Sequence, residues 1–136
     1  MRTPTHYLTP LLGERAAGAS LVIERSGRAL AERVEPAFTS KARNRGLLGR
    51  DDLEEGAALV IAPSNSIHTF FMRFVIDVVF VGRDGAVLKT VSDVKPWRIA
   101  IAPRAYAVIE LNAGGVRRSE LMVGDRVYLR ESTLRA

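Results

Sequence analysis

The sequence predicts a single, mainly β domain: an antiparallel β-sandwich or distorted barrel with one short helix. A chain of 136 residues can build one hydrophobic core but not two. Its 47% hydrophobic and 26% charged residues match globular averages. Short runs of β-branched and aromatic residues alternate with Gly, Pro and Asp turn signals, and helical periodicity is almost absent, which favours a sandwich or barrel.

The first twenty residues differ from the rest. They contain three Thr, two Pro and two Gly among scattered apolar side chains, so we expect 1–20 to be a loose tail and 21–136 to be the single β-domain. The tail lacks the apolar stretch of about 7 to 15 residues of a secretory signal. No run in the chain reaches the roughly 18 apolar residues of a membrane span. We therefore expect a cytoplasmic protein without a membrane partner.

The domain is predicted to begin with a hairpin and a helix. Leu21–Ile23 are β-formers, Ser26-Gly27 is a turn signal, and a second strand lies within Arg28–Glu35. The stretch Lys41–Leu48 suits a short helix. Thr39 or Ser40 would be its N-cap and Gly49 would terminate it.

The middle of the chain is rich in β-formers. Ala57–Ala62 is an apolar run closed by Pro63, which fits a buried strand. Ser66–Val81 predicts one long strand or two strands joined at a bend. If its alternation is unbroken, one face faces the core and consists of His68, Phe70, Met72, Phe74, Ile76, Val78 and Phe80.

Three further segments complete the predicted sheet. Ala86–Val91 and Ala105–Leu111 resemble strands, Gly114-Gly115 is a turn, and Asp125–Arg130 is the last strand.

Charge and cysteine content restrict the chemistry. The chain has no cysteine, so thiol nucleophiles, thiolate metal sites and disulfides are excluded. The net charge of +5 invites a nucleic-acid role. However, the densest basic segment, Lys41 to Arg50, is followed directly by acidic residues, and neither a zinc finger nor a helix-turn-helix pattern accompanies it. The sequence therefore disfavours a nucleic-acid partner.

Several separated motifs occur in a recognisable order: Gly46-Leu47-Leu48-Gly49-Arg50, Ile67-His68-Thr69-Phe70-Phe71-Met72-Arg73-Phe74, Ile76-Asp77-Val78-Val79-Phe80, Pro96-Trp97, Val108-Ile109-Glu110-Leu111 and Val123-Gly124-Asp125. In this order they resemble the domain of unknown function 192 family of uncharacterised bacterial and archaeal proteins, over about Glu35 to Leu129. The resemblance implies a compact, mainly β, sandwich-like fold with one short helix near its start. It brings no agreed activity. Where many members have Trp-Met, this chain has Phe71-Met72.

Asp77 is an unusual residue for its surroundings. It interrupts an apolar strand, and burying an unpaired carboxylate costs several kcal/mol. It should therefore have a partner from a neighbouring strand or a backbone N–H. Two interpretations stay open: a general base or ligand acceptor, or a structural anchor.

His68 is the only histidine outside the predicted tail. An imidazole can serve as acid, base or ligand near neutral pH. One imidazole does not make a metal site, which normally needs three or more ligands, so we expect no metal and no cofactor. A triad of Ser64 or Ser66 with His68 and Asp77 lacks the Gly-x-Ser-x-Gly elbow and any sign of an oxyanion hole. We recognise no catalytic motif.

Glu110 and Trp97 complete the candidate residues. Glu110 lies in the apolar run Ala107 to Leu111, and together with Asp77 it could form the carboxylate pair of a glycoside hydrolase. Trp97 offers a flat apolar face on which sugars or bases stack. In the structural alternative, Trp97 caps one end of the sandwich and Glu110 pairs with an arginine such as Arg73.

The sequence thus predicts a binding or accessory module, with a shallow polar and aromatic pocket near His68, Asp77, Trp97 and Glu110 that takes a small polar ligand. Whether it is an enzyme stays open, as do its catalytic residues, partners and oligomeric state. The alternatives are a hydrolase of glycans or other polar substrates, and a nucleic-acid or protein interaction surface on the basic segment Lys41 to Arg50.

Overall fold

A computed structural model describes residues 16–131 of the chain, and this part is mainly β. Its elements in chain order are β1 (Ser20–Ile23), β2 (Ala29–Ala31), β3 (Arg33–Ala37), α1 (Ser40–Arg45), β4 (Ala57–Ile61), β5 (Ser66–His68), β6 (Ile76–Val81), β7 (Val87–Val94), β8 (Ile99–Ile101), β9 (Ala107–Asn112), α2 (Gly115–Ser119) and β10 (Val127–Arg130). None of the helices within residues 16–131 has the length and apolar character needed to cross a membrane.

The predicted hairpin is present, but its second strand is divided. β1 pairs with β2 and with β10 in a three-stranded antiparallel sheet. The segment predicted as one strand over Arg28–Glu35 is split, because β3 leaves the hairpin and joins a second sheet. Most of the predicted tail, residues 1–15, lies outside the described residues. Ala16 and Ala19 are buried, and Ser20 begins β1.

The second sheet has five strands in the order β3-β4-β9-β6-β7. Its pairs are antiparallel except β3 with β4, which run parallel. Every residue of β4 and β6 is buried. This burial on both faces explains why their sequences are continuous apolar runs, and it places the sheet in the middle of the molecule.

Two hydrophobic cores lie on the two faces of this central sheet. One core joins it to the three-stranded sheet, with Leu21, Ile109 and Leu129 among its members. The other joins it to a layer made of α1, the segment after it, and a two-stranded ribbon of β5 and β8, with Leu47, Ile67 and Phe80 among its members. The predicted mainly β, sandwich-like fold is confirmed, and the strands between residues 16 and 131 form open sheets rather than a closed barrel.

The stretch Ser66–Val81 forms two strands joined by a bend, one of the two predicted forms. The predicted alternation holds only in part: Met72, Ile76, Val78 and Phe80 are buried, but His68 is exposed because it lies on the outer face of the β5–β8 ribbon. Between the strands, Phe71 has a positive φ of 68°, which breaks the period-two pattern.

The predicted helix is present and shorter than expected. The Thr39 side chain accepts a hydrogen bond from the Ala42 N–H at 3.1 Å, as an N-cap should, and α1 ends at Gly46 rather than Gly49. A second helix, α2, occupies the region predicted as a Gly114-Gly115 turn, because a buried carboxylate, described below, accepts the N–H groups at its start.

Candidate functional site

A pocket of about 250 Å³ lies between α1 with its following segment, the β5 region, and the central sheet. It is lined by Arg43, Asn44, Arg45, Gly46, Leu47, Leu48, Ile61, Ser64, Ser66, Ile67, His68, Met72 and Glu110. Two of the four predicted site residues, His68 and Glu110, therefore belong to one pocket.

Glu110 is the buried carboxyl group of this pocket. It lies on β9, paired with Leu59 on one side and Val78 on the other, and its side chain is only 3% exposed. Its Oε1 atom is buried and accepts no hydrogen bond from any described group. Burial raises the pKa of Glu110 to about 7, against the opposing effect of the Arg50 charge.

Arg50 does not neutralise Glu110 by direct pairing. Its guanidinium instead binds the carboxylate of Glu35 at 2.6 Å. Arg73, named from the sequence as a partner of Glu110, pairs with Asp51 at 2.9 Å. The expected ion pair with Arg73 is therefore wrong, and Glu110, a residue of the pocket lining, has no salt bridge among the described residues.

His68 contributes a polar ring at the exposed side of the pocket. Its Nδ1 accepts a hydrogen bond from the Phe70 N–H at 3.2 Å. In the neutral imidazole the proton then lies on Nε2, which donates no hydrogen bond to the described residues. The ring stacks on Phe70 with centroids 4.7 Å apart.

A row of aromatic rings continues from His68. Phe70 stacks on Trp97 at 5.5 Å, and Trp97 contacts Phe71 at 4.6 Å with their planes tilted by 59°. We call His68, Phe70, Trp97 and Phe71 the aromatic row. Trp97 is 55% exposed and Phe71 is 71% exposed. Trp97 is thus linked to the pocket through Phe70, although it does not line the pocket itself.

Thr69 holds the aromatic row in position through hydrogen bonds. Its buried hydroxyl donates to the Lys95 carbonyl at 2.7 Å and accepts from the Arg98 N–H at 2.8 Å. Its carbonyl accepts the N–H groups of Met72 and Trp97. Thr69 therefore joins the bend after β5 to the segment before β8, and these two segments carry Phe71 and Trp97.

Both exposed aromatic residues adopt an unusual backbone. Phe71 and Trp97 have positive φ values of 68° and 69°, a region that costs free energy for side chains other than glycine. Sequence analysis missed Thr69, Phe70 and Phe71 as members of the site. A single polar residue before a pair of aromatic residues was the signal that could have found them.

Asp77 is not in the pocket. Its Oδ1 accepts the Asp93 N–H at 2.9 Å, and its Oδ2 accepts the N–H groups of Gly114 and Val116 at 3.2 and 3.0 Å. It lies opposite Leu111 on the central sheet, whereas Glu110 lies opposite Val78, so the two carboxyl groups point to opposite faces. Asp77 is the structural anchor, and the predicted pairing of Asp77 with Glu110 is wrong.

The geometry does not support the serine triad that the sequence already disfavoured. The Ser64 hydroxyl donates to the Ser66 carbonyl at 2.9 Å rather than to an imidazole, and the Asp77 carboxylate accepts backbone N–H groups rather than a proton from His68. Within residues 16–131, no three His, Asp or Glu side chains are grouped as a metal site would require.

A second groove, of about 340 Å³, lies between β2, the start of β4 and α2. Three of its four charged side chains are paired: Arg28 binds Glu120 at 3.0 Å, and Arg118 binds both Glu55 and Asn112 at 2.8 Å. No buried polar side chain there lacks a partner among the described residues. The first pocket is therefore the stronger candidate site.

Two solved structures share this fold. One is a protein from Sinorhizobium meliloti 1021 described as a candidate transcription regulator, with a TM-score of 0.72 and 24% identity over 86% of this chain and 98% of that one. The other is a protein of unknown function from Novosphingobium aromaticivorans DSM 12444, with a TM-score of 0.70 and 23% identity over 93% of this chain and 92% of that one. At these identities the likeness shows the fold alone.

None of the curated proteins matches the chain. The family model DUF192, described as an uncharacterised family, matches residues 21–129, which is most of the chain and includes the pocket, the aromatic row and Asp77. The resemblance found in the sequence motifs is therefore confirmed, and the chain belongs to the DUF192 family.

Proposed function

We propose that the protein is a binding module that holds a small, hydroxyl-bearing ligand in the pocket lined by His68 and Glu110. The observation that carries this proposal is Glu110 itself: the residue belongs to the pocket lining, and its buried Oε1 has no hydrogen-bond partner among the described residues. A buried polar atom without a partner costs about 1–3 kcal/mol. A ligand that supplies the missing hydrogen bond recovers that free energy on binding.

The remaining polar groups of the pocket suit the same kind of ligand. The Nε2–H of His68 is a hydrogen-bond donor, and the side-chain amide of Asn44 supplies both a donor and an acceptor. Apolar side chains such as Leu47, Ile67 and Met72 form the rest of the wall. A few polar groups on an apolar wall are typical of small-molecule sites. The cytoplasmic location expected from the sequence stays part of this proposal.

The two alternatives have weaker support. The hydrolase hypothesis needs a second carboxylate beside Glu110, and Asp77 lies on the other face of the sheet. Two of the four cations in the basic segment Lys41 to Arg50 are already engaged: Arg43 donates to the Phe38 carbonyl at 3.0 Å, and Arg50 pairs with Glu35. Neither observation favours these functions over ligand binding.

The test is ligand-observed NMR with a library of small polyols, sugars and amides, on the wild type and on Glu110→Leu. We expect fragments that bind the wild type to lose binding in Glu110→Leu, because leucine keeps the bulk but removes both oxygens. Glu55→Gln, which changes a carboxylate in the second groove, is the matched control and should bind as the wild type does.

A stability measurement separates binding from structure in the same variants. Replacing an unpartnered buried carboxyl with an apolar group should leave the free energy of unfolding unchanged or raise it at pH 8. Equal binding by the wild type and Glu110→Leu would contradict the proposal, as would unfolding of Glu110→Leu, since that would make Glu110 a structural residue.

A further inference from the structure

The size of the pocket limits what it can enclose. At about 250 Å³ it is smaller than the roughly 300–1,000 Å³ of pockets that enclose drug-sized ligands. One small ring fills it. A larger ligand must extend past the pocket opening, and on the His68 side it meets the aromatic row.

The aromatic row has the properties of a stacking surface. Its outer members, Trp97 and Phe71, are more than half exposed, in contact with each other, and both held at positive φ. Exposing two large aromatic side chains while keeping them in a costly backbone conformation gains nothing for folding. Such strain, when the surrounding structure maintains it, occurs preferentially at ligand-binding positions.

From these observations we propose that the ligand is an oligosaccharide, with one sugar unit in the Glu110 pocket and the following units stacked on Trp97 and Phe71. This inference rests on the proposed function and adds its substrate class. Sugar rings present apolar C–H faces to aromatic rings, and their hydroxyls both donate and accept. In the pocket, the hydrogen-bonding groups for these hydroxyls are the oxygens of Glu110, the Nε2 of His68 and the amide of Asn44.

A single-stranded nucleic acid fits the same surface less well. It needs free cations for its phosphates beside the stacking rings. Arg73 is already paired with Asp51 at 2.9 Å. The buried carboxyl of Glu110 would also repel a phosphate when ionised. A chain built of hydroxyls and ring faces avoids both difficulties.

Trp97 is the only tryptophan in the sequence, so its fluorescence reports directly on the stacking surface. The probes are the uncharged sugars glucose and N-acetylglucosamine as monomers, and their β-1,4-linked or α-1,4-linked oligomers up to the tetramer. At least one series should bind the wild type, with the trimer about tenfold tighter than the monomer, and oligomers alone should change the Trp97 emission.

The variants divide the effect between the pocket and the aromatic row. In Trp97→Ala the gain in affinity with length should disappear while monomer binding persists, measured by calorimetry. Met122→Ala is the matched control, because Met122 is similarly exposed, at 60%, and its backbone N–H binds Asp125, which is not part of the row. It should keep the full length dependence.

The outcomes separate this inference from the proposed function. If monomers bind through Glu110 but affinity does not grow with length, the oligosaccharide proposal fails and the binding module stands. If other fragments bind in the pocket but no saccharide does, the oligosaccharide proposal also fails and the binding module stands. If a thymidine oligonucleotide or phosphatidylglycerol vesicles alter the Trp97 emission and saccharides do not, the aromatic row serves another class of partner and the inference is overturned.

Discussion

At the scale of single residues, Glu110 makes the stability of the protein depend on pH. Its pKa rises from 4.5 to about 7 on folding because burial disfavours the ionised form. Between these values the folded state binds more protons than the unfolded state, so the free energy of unfolding falls as pH increases. We expect a loss of about 2–3 kcal/mol between pH 5 and pH 8, measured by urea denaturation.

The control for this prediction is Glu110→Gln, which cannot ionise and should flatten the profile over that range. The Arg25 guanidinium holds the pKa of Asp125 below its usual range, so that group loses its stabilising effect only as pH falls through still lower values, outside the measured window. A wild-type profile that is level or rises from pH 5 to pH 8 would show that Glu110 ionises freely in the folded protein.

At the scale of elements, Thr69 joins two segments that would otherwise be independent turns. Thr69→Val keeps the side-chain shape but leaves the Arg98 N–H and the Lys95 carbonyl without the hydroxyl partner. We expect a loss of about 1–2 kcal/mol of stability. Faster amide exchange at Arg98 and lower fluorescence anisotropy of Trp97 should accompany it.

Thr90→Val is the matched control for Thr69→Val. Thr90 lies on β7 and is partly exposed, and its hydroxyl makes no hydrogen bond to the described residues, so valine should be neutral there. If Thr69→Val leaves Trp97 as rigid as in the wild type, packing of the rings and not the hydroxyl of Thr69 holds the aromatic row.

The elements that the sequence predicts well are those specified by residues close to one another along the chain. The β1–β2 turn at Ser26-Gly27, the N-cap at Thr39 and the buried run of β4 each follow from neighbouring residues. The bend after β5 was not placed, and α2 was missed, because both depend on partners far along the chain: Lys95 and Arg98 for the bend, Asp77 for the helix.

The same distinction applies to the candidate site. The sequence marked four positions by their unusual residue types: Asp77, His68, Trp97 and Glu110. It did not show which of them lie close together in the folded protein. Strand register decides that: a shift of one residue between β6 and β9 would move Glu110 to the face of Asp77. Register is set by long-range pairing, so two buried carboxyl groups with opposite roles look alike in the sequence.

At the scale of the whole molecule, Asp77 connects the central sheet to α2, which lies outside the sheet, and adds a side-chain hydrogen bond between β6 and its neighbour β7. From the central sheet its carboxylate accepts N–H groups from the start of α2 and from Asp93 on the edge strand β7. Asparagine has the same shape, but one of its two terminal atoms is a donor and would face donors. We expect Asp77→Asn to lower the free energy of unfolding by about 2–4 kcal/mol, measured by urea denaturation at pH 7.

The contrast with Glu110 makes this prediction decisive, because both residues are buried carboxyl groups on adjacent strands of one sheet. Glu110→Leu should retain or gain stability and lose ligand, whereas Asp77→Asn should lose stability and, below its unfolding transition, keep ligand affinity. Amide exchange should increase at Gly114 and Val116 in Asp77→Asn, since the helix start loses its acceptor. If Asp77→Asn were as stable as the wild type, the layers would be held by apolar burial alone, and the carboxylate would have to be retained for some role other than anchoring.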